Sequence, residues 1–162
     1  MPDRPSTVVA RIADGAAFGA VLALIAAYQR FYEVEPDEDR NAVFFRRFVE
    51  SDAEGVLLGA RAEGDGDDAG DAGPLVGYAC LHWRLDTVTA KEVVCLHDLY
   101  AVPEVRGTGV ARALLEAAAE VARSRAAASL VWSTAPDNAT AQRLYDATGA
   151  TRSTWVEYEL PV

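Results

Sequence analysis

Leu96-His97-Asp98-Leu99-Tyr100-Ala101-Val102, followed by a Pro103-Glu104-Val105 turn and Arg106-Gly107-Thr108-Gly109-Val110-Ala111, decides how this chain folds. The first seven residues read as a largely apolar strand, and the two glycines open a long alanine-rich segment with helical spacing. A second apolar run, Leu130 to Thr134, leads to Asn138 and to a short helical segment carrying Ala141, Leu144 and Tyr145. A strand feeding a glycine turn that opens a helix has a definite electrostatic character. The first N–H groups of a helix lack intrahelical partners, and the helix dipole adds partial positive charge there. Gly107 and Gly109 let a ligand approach the backbone, and Arg106 adds a forked cation. The site suits a phosphate or pyrophosphate.

Two familiar phosphate-binding patterns fit poorly. A dinucleotide fold wants a third glycine and an acid about 20 residues on; Ala126 to Trp132 contain no acid. A nucleoside-triphosphate loop wants Gly-Lys-Ser/Thr, and no lysine lies near this loop. An ordinary glycine turn between strand and helix is the remaining alternative on the residues alone.

Outward from this stretch, Thr7 to Ile12 reads as a first strand and Asp14 as a helix N-cap. Phe18, Val21, Leu22, Ile25, Tyr28, Phe31 and Tyr32 recur at helical spacing, and the helix ends before Pro36. A second helix carries Val43, Phe44, Phe48 and Val49 after an acidic bend. Val56 to Ala62 and Leu75 to Arg84 pair as an antiparallel hairpin, with Gly77 marking a bulge or close packing. Residues 63–74 join them as an acidic Gly/Asp loop too polar to pack. Leu85 to Lys91 is a turn, and Glu92 to Val102 is the central strand. Val110, Leu114, Leu115, Ala118, Val121 and Ala122 give the next helix its apolar stripe, with Arg112, Glu116, Glu120 and Arg123 opposite. Asn138 or Asp137 caps the short helix, Gly149 stops it, and Ser153 to Leu160 is a final strand. This order implies an α/β (α+β) fold with a mixed, mostly antiparallel sheet flanked by helices.

The 162 residues suit a single domain, 1–162. The net charge of -10 argues against nucleic acid and anionic membranes. Glu63, Asp65, Asp67, Asp68 and Asp71 concentrate much of it in one loop; the acidic body favours solubility and also suits a cationic amine. Cys80 and Cys95 fall in apolar strands and read as reduced thiols of a cytoplasmic protein, and no Cys/His spacing suggests a metal. No signal-peptide core opens the chain, and the apolar run from Ala16 to Tyr28 is too short to span a bilayer.

Arg106-Gly107-Thr108-Gly109-Val110-Ala111 resembles the Arg/Gln-x-x-Gly-x-Gly/Ala signature of the GNAT N-acetyltransferases. Asn138-x-x-Ala141-x-x-Leu144-Tyr145, with Gly149 behind it, resembles the second motif of that superfamily. The likeness runs from about Val9 to Leu160. It is nearest to the bacterial polyamine/diamine acetyltransferase branch, through Tyr28-x-x-Phe31-Tyr32 and Trp155-Val156-Glu157-Tyr158-Glu159-Leu160. The resemblance implies an acetyl-CoA-dependent enzyme whose pantetheine arm lies between two splayed strands.

By that resemblance, Leu99, Tyr100, Ala101 and Val102 line the arm, and a backbone N–H near Leu99 to Ala101 polarises the thioester carbonyl. Arg106, Gly107, Thr108, Gly109, Val110, Ala111 and Arg112 cradle the pyrophosphate. Asn138 contacts the arm, and Tyr145 protonates the departing thiolate, a phenol of pKa about 10 serving a thiolate of about 8.5. Tyr28, Tyr32 and Asp98 meet the acceptor. The branch has Glu where this chain has His97, and a histidine there is a competent proton acceptor at neutral pH. His82, earlier in its strand, matches no motif. Structural roles remain open for each: packing for the tyrosines, helix capping for Asn138, a solvated face for Arg112, a structural imidazole for His97.

The resulting expectation is acetyl transfer to a primary amine of a small molecule by a homodimer. A polyamine, diamine, amino acid or amine antibiotic would fit. A protein lysine or N-terminal amine, or a non-catalytic acyl-CoA-binding module, is the alternative.

Overall fold

The computed structural model describes residues 7–13, 15–62 and 73–162. The capping role read for Asp14 and most of the acidic loop, residues 63–72, lie outside them. The chain falls into two compact units, residues 1–132 and 133–162.

The first unit is built on one sheet. β1 (Thr7–Arg11), β2 (Gly55–Ala62), β3 (Leu75–Asp86) and β4 (Lys91–Ala101) follow one another as antiparallel neighbours. β5 (Leu130–Val131) then adds to β4 in parallel. The parallel step needs a crossover, and α3 (Val110–Ser124) supplies it. This is the mixed, mostly antiparallel sheet that the order of elements implied. α1 (Gly15–Phe31) and α2 (Glu38–Glu50) lie between β1 and β2 in sequence.

Each face of the sheet is covered for a reason visible in the residues. Val110, Leu114, Leu115, Ala118 and Ala122 repeat at helical spacing and are buried, with Leu114 fully so. Phe18, Val21, Ile25, Phe45 and Phe48 form a second core with Tyr78, Cys80 and Tyr100 of the strands. The buried face of α2 runs through Asn41, Phe45 and Phe48, so Val43 and Phe44 point outward instead of into the core. Asp37 caps α2, its Oδ1 accepting from the Arg40 N–H at 2.9 Å. The side-chain amides of Gln29 and Asn41 exchange two hydrogen bonds, 2.9 and 2.7 Å, and satisfy the one buried polar side chain on this face.

At the far end of the sheet the Arg125 guanidinium grips both Glu92 carboxylate oxygens, at 2.9 and 3.2 Å, and lies 3.8 Å over the Trp83 ring. It fastens the end of α3 to the start of β4 and the end of β3.

Two strands expected from the pattern are shorter or missing. Leu130 to Thr134 forms ladder bonds only as Leu130–Val131, paired to Val94 and Cys95, after which β5 leaves β4. Ser153 to Leu160 forms no strand. It belongs to the second unit, which holds α4 (Ala139–Asp146) and, among its described residues, no extended neighbour to complete a ladder. An alternating pattern promises a face to bury, but a strand also needs an edge to bond. Trp155, Val156, Tyr158 and Leu160 are accordingly exposed.

Gly77 fixes the spacing between β3 and α3. A Cβ there would stand 2.7 Å from the Tyr100 carbonyl oxygen and about 3 Å from the Val110 and Leu114 side chains. Gly77→Ala is expected to cost about 1–3 kcal/mol, read as a lower urea midpoint. A wild-type midpoint would show that the contact yields freely.

Candidate active site

The site begins with a register shift. β3 and β4 pair as Tyr78↔Tyr100, Ala79↔Leu99 and Cys80↔Asp98, but the next pair is Leu81↔Leu96. β4 therefore carries one extra residue, His97, as a bulge. The bulge reverses which way the backbone groups face. Val94 donates its N–H at 3.0 Å to Ser129 on the β5 side, whereas Val102 donates at 2.9 Å to Val76 on the β3 side. An unbroken strand alternates strictly, so 94 and 102 would face the same way. Beyond the bulge the N–H groups of Asp98, Tyr100 and Val102 face β3, and those of Leu99 and Ala101 face the edge that β5 has left. The Ala101 carbonyl also faces out, accepting from Arg106 Nε at 3.4 Å. Leu99 to Val102 thus form a free strand edge among the described residues.

That edge ends in the glycine turn. Gly107 and Gly109 have φ of 82° and 109°, the left-handed region that favours glycine, and a Cβ at either would meet nothing within 4 Å. Gly109 is the N-cap of α3 and makes no side-chain cap. The first intrahelical bond, from the Ala113 N–H to the Gly109 carbonyl, leaves the N–H groups of Val110, Ala111 and Arg112 ahead of it. Arg106 and Arg112 are exposed beside them, and Arg106 lies 5.9 Å over the Phe31 ring. Donors, dipole, cations and open space fit a pyrophosphate.

On the other side of the bulge lies a pocket of about 450 Å³ between α2 and the β3–β4 pair. Phe44 and Phe48 give it an apolar wall, and His82, His97, Asp98 and Glu54 give it polar groups. His97 Nδ1 is 3.2 Å from Asp98 Oδ1, and the Tyr78 hydroxyl donates to Asp98 Oδ2 at 3.3 Å. The hydrogen bond to Asp98 raises the His97 pKa. Burial pushes the Tyr78 phenol up, as it does the thiols of Cys80 and Cys95. Both cysteines are free, Cys80 buried and Cys95 half-buried. His82 is set against His97, ring centroids 5.4 Å apart, and burial lowers its pKa. Arg47 pairs with Glu54 at 3.2 Å on the rim.

The residues singled out from sequence fall into three places. His97, Asp98 and Leu99 to Arg112 follow one another along the bulge, edge and turn of the first unit. Tyr28 packs edge-on against Tyr78 and Tyr100 at 6.1 and 5.9 Å, while Tyr32 is exposed at the end of α1; the pocket wall is made by α2 instead. Asn138 and Tyr145 belong to the second unit. There Asn138 Oδ1 caps α4, accepting from the Ala141 N–H at 3.1 Å, and Gly149 takes a positive φ of 81°. Sequence reasoning missed Glu54 and Phe44 and ranked His82 low. Tyr78, Cys80 and His82 share a face by strand period, and His97 joins them through the pairing of His82 with Cys95, but setting Asp98 on the same face needs the bulge, which no residue pattern announces.

Residues 21–150 match the model of the acetyltransferase (GNAT) family. The chain belongs to the GNAT acetyltransferases. It is an N-acetyltransferase whose acetyl donor is acetyl-CoA. A Bacillus subtilis protein described as the uncharacterized N-acetyltransferase YhfO is 28% identical over 144 residues, which are 88% of this chain and 90% of that protein. A crystal structure of a probable acetyltransferase is 26% identical with a TM-score of 0.75, covering 97% of both chains. The aminoglycoside N-acetyltransferase AAC(6')-Iy in complex with CoA shares the fold, with a TM-score of 0.79 and 18% identity over 99% of this chain and 98% of its own. No helix among the described residues is long and apolar enough to cross a membrane.

Gly109→Glu places bulk and negative charge in the open turn of this GNAT chain. At least about a tenfold loss of CoA affinity, roughly 1.4 kcal/mol, is expected by calorimetry, with circular dichroism checking the fold. Unchanged affinity would remove the turn from the CoA site.

Proposed function

We propose that this enzyme acetylates a primary amine of a small molecule, and that the acceptor enters the pocket between α2 and the β3–β4 pair. The observation that carries this reading is the order of features on β4: pocket and imidazoles, bulge, free strand edge, glycine turn. The pantetheine arm of acetyl-CoA would bond to the free edge as a neighbouring strand does, along Leu99, Tyr100, Ala101 and Val102. Arg106 to Arg112 would hold the pyrophosphate. The Leu99 N–H, facing that edge beside the bulge, would stabilise the charge that develops on the thioester oxygen.

The pocket volume is that of a small-molecule site. Asp98 and the acidic body of the protein suit a cationic acceptor, which supports the polyamine/diamine branch over other amines. An acceptor ammonium of pKa about 10.4 must lose a proton before it attacks. The two imidazoles on the pocket wall, His97 where the branch has Glu and His82 beside it, are the groups suited to take it. Asn138 Oδ1 is committed to its helix, so its amide nitrogen is the group left to contact the arm. Tyr145 is proposed as the acid for the thiolate, on its spacing from Asn138. The family match crosses from the first unit into the second, which supports reading 1–162 as one catalytic domain. The free thiols suit the cytoplasm, and the branch resemblance suggests a homodimer.

The deciding measurement is thiol release from acetyl-CoA with spermidine, putrescine, single amino acids, aminoglycosides and a lysine-rich peptide. Release with spermidine or putrescine is the expected result. Release with the peptide alone would replace the small-molecule reading, and CoA binding without release would favour a non-catalytic module. Tyr145→Phe is expected to lower kcat about a hundredfold with CoA affinity within about twofold. An unaltered kcat would remove its acid role.

A further inference from the structure

The pocket wall carries two imidazoles in different settings. His97 projects outward, its side chain 67% exposed, with Nδ1 on the Asp98 carboxylate. A ring nitrogen held this way keeps its proton, and a second proton on the ring is favoured by the adjacent charge. His82 is half-buried beside the His97 ring on the pocket wall. A neutral imidazole keeps a lone pair on one ring nitrogen, and this ring lines the pocket.

The groups around His82 are Arg84 and Cys80 on β3, His97, Asp98 and Cys95 on β4, Arg47 on α2, and Glu54 ahead of β2. Glu54 is engaged by Arg47, and Asp98 by His97 and Tyr78. The nearby carboxylates are thus already paired, and two positive neighbours, Arg84 and a protonated His97, oppose a charge on His82.

We propose that His82 is the group that takes the proton from the acceptor ammonium, with the His97–Asp98 pair as its fixed electrostatic neighbour. This rests on the reading that the pocket receives the acceptor. The ammonium N–H bond breaks, its electron pair stays on the acceptor nitrogen, and the proton bonds to the unprotonated nitrogen of His82. The resulting imidazolium, opposed by its surroundings, returns the proton to solvent. The freed amine attacks the thioester carbonyl, the C–S bond breaks, and a second proton from the nitrogen ends on the CoA sulfur. One ammonium and one acetyl-CoA thus give one amide, one CoA thiol and one solvent proton.

The two imidazoles give opposite signatures in a pH–rate profile. A base must be neutral to act. If His82 is the base, the acidic limb of kcat/KM falls below the ordinary histidine value of about 6.5, because its pKa is lowered. If His97 is the base, the limb falls above that value, because its pKa is raised.

The experiment is the profile of kcat/KM for wild type, His82→Gln and His97→Gln with the best amine of the panel, with CoA affinity measured on each. The expected wild-type limb lies below about 6.5. His82→Gln is expected to lose the limb and about a hundredfold in kcat/KM at neutral pH, with CoA affinity retained. His97→Gln is expected to keep the limb and move it upward, since a neighbouring positive charge has been removed. A wild-type limb above about 6.5 that disappears in His97→Gln would overturn the assignment and give the role to His97. A limb unmoved in both variants would also overturn it, while leaving the acetyltransfer itself intact. Absence of thiol release from wild type with every amine would instead sink the small-molecule reading on which the proposal stands.

Discussion

The site depends on one extra residue in one strand. With His97 inserted opposite the Cys80–Leu81 step, the backbone of β4 changes the side to which each group points. Without that shift, the Asp98 and Tyr100 N–H groups would face the edge, and Leu99 and Ala101 would be spent on the ladder with β3. The same insertion brings two consecutive side chains, His97 and Asp98, to one pocket wall, where period-two alternation would have sent them to opposite faces. A single register defect thus decides which backbone groups the free edge presents and sets a hydrogen-bonded imidazole–carboxylate pair beside it.

Much of the architecture was legible because it follows from periods and breakers. The stripe Val110, Leu114, Leu115, Ala118, Ala122 could bury only as a helix, and Gly107 and Gly109 could open it only as a turn with positive φ. Where the reading failed, the deciding partner was non-local. The spacing in α2 allowed either Phe44 or Phe45 to face inward, and packing against the sheet chose Phe45. Trp155 to Leu160 carries a strand's residues, yet its state is set by whether an edge is present to bond it. Strand length at β5 likewise depends on how far the backbone stays beside β4.

The candidate site divides along the same line. The turn and the strand before it were visible because glycine and arginine at fixed spacing have a local meaning. His82 was not, because a histidine in mid-strand acquires chemistry only from what stands across the ladder. Its neighbour His97 lies fifteen positions later in sequence, and the two rings meet only through the β3–β4 register.

The fastening made by Arg125 has a mechanical meaning. It holds the β4 end of the sheet through Glu92 and Trp83, at the end where β4 and β5 are still bonded. The start of β4 is therefore anchored twice, by its ladder to β5 and by a guanidinium from the end of α3. Arg125, which lines neither the pocket nor the glycine turn, is thus the peg that holds this end of the sheet in place.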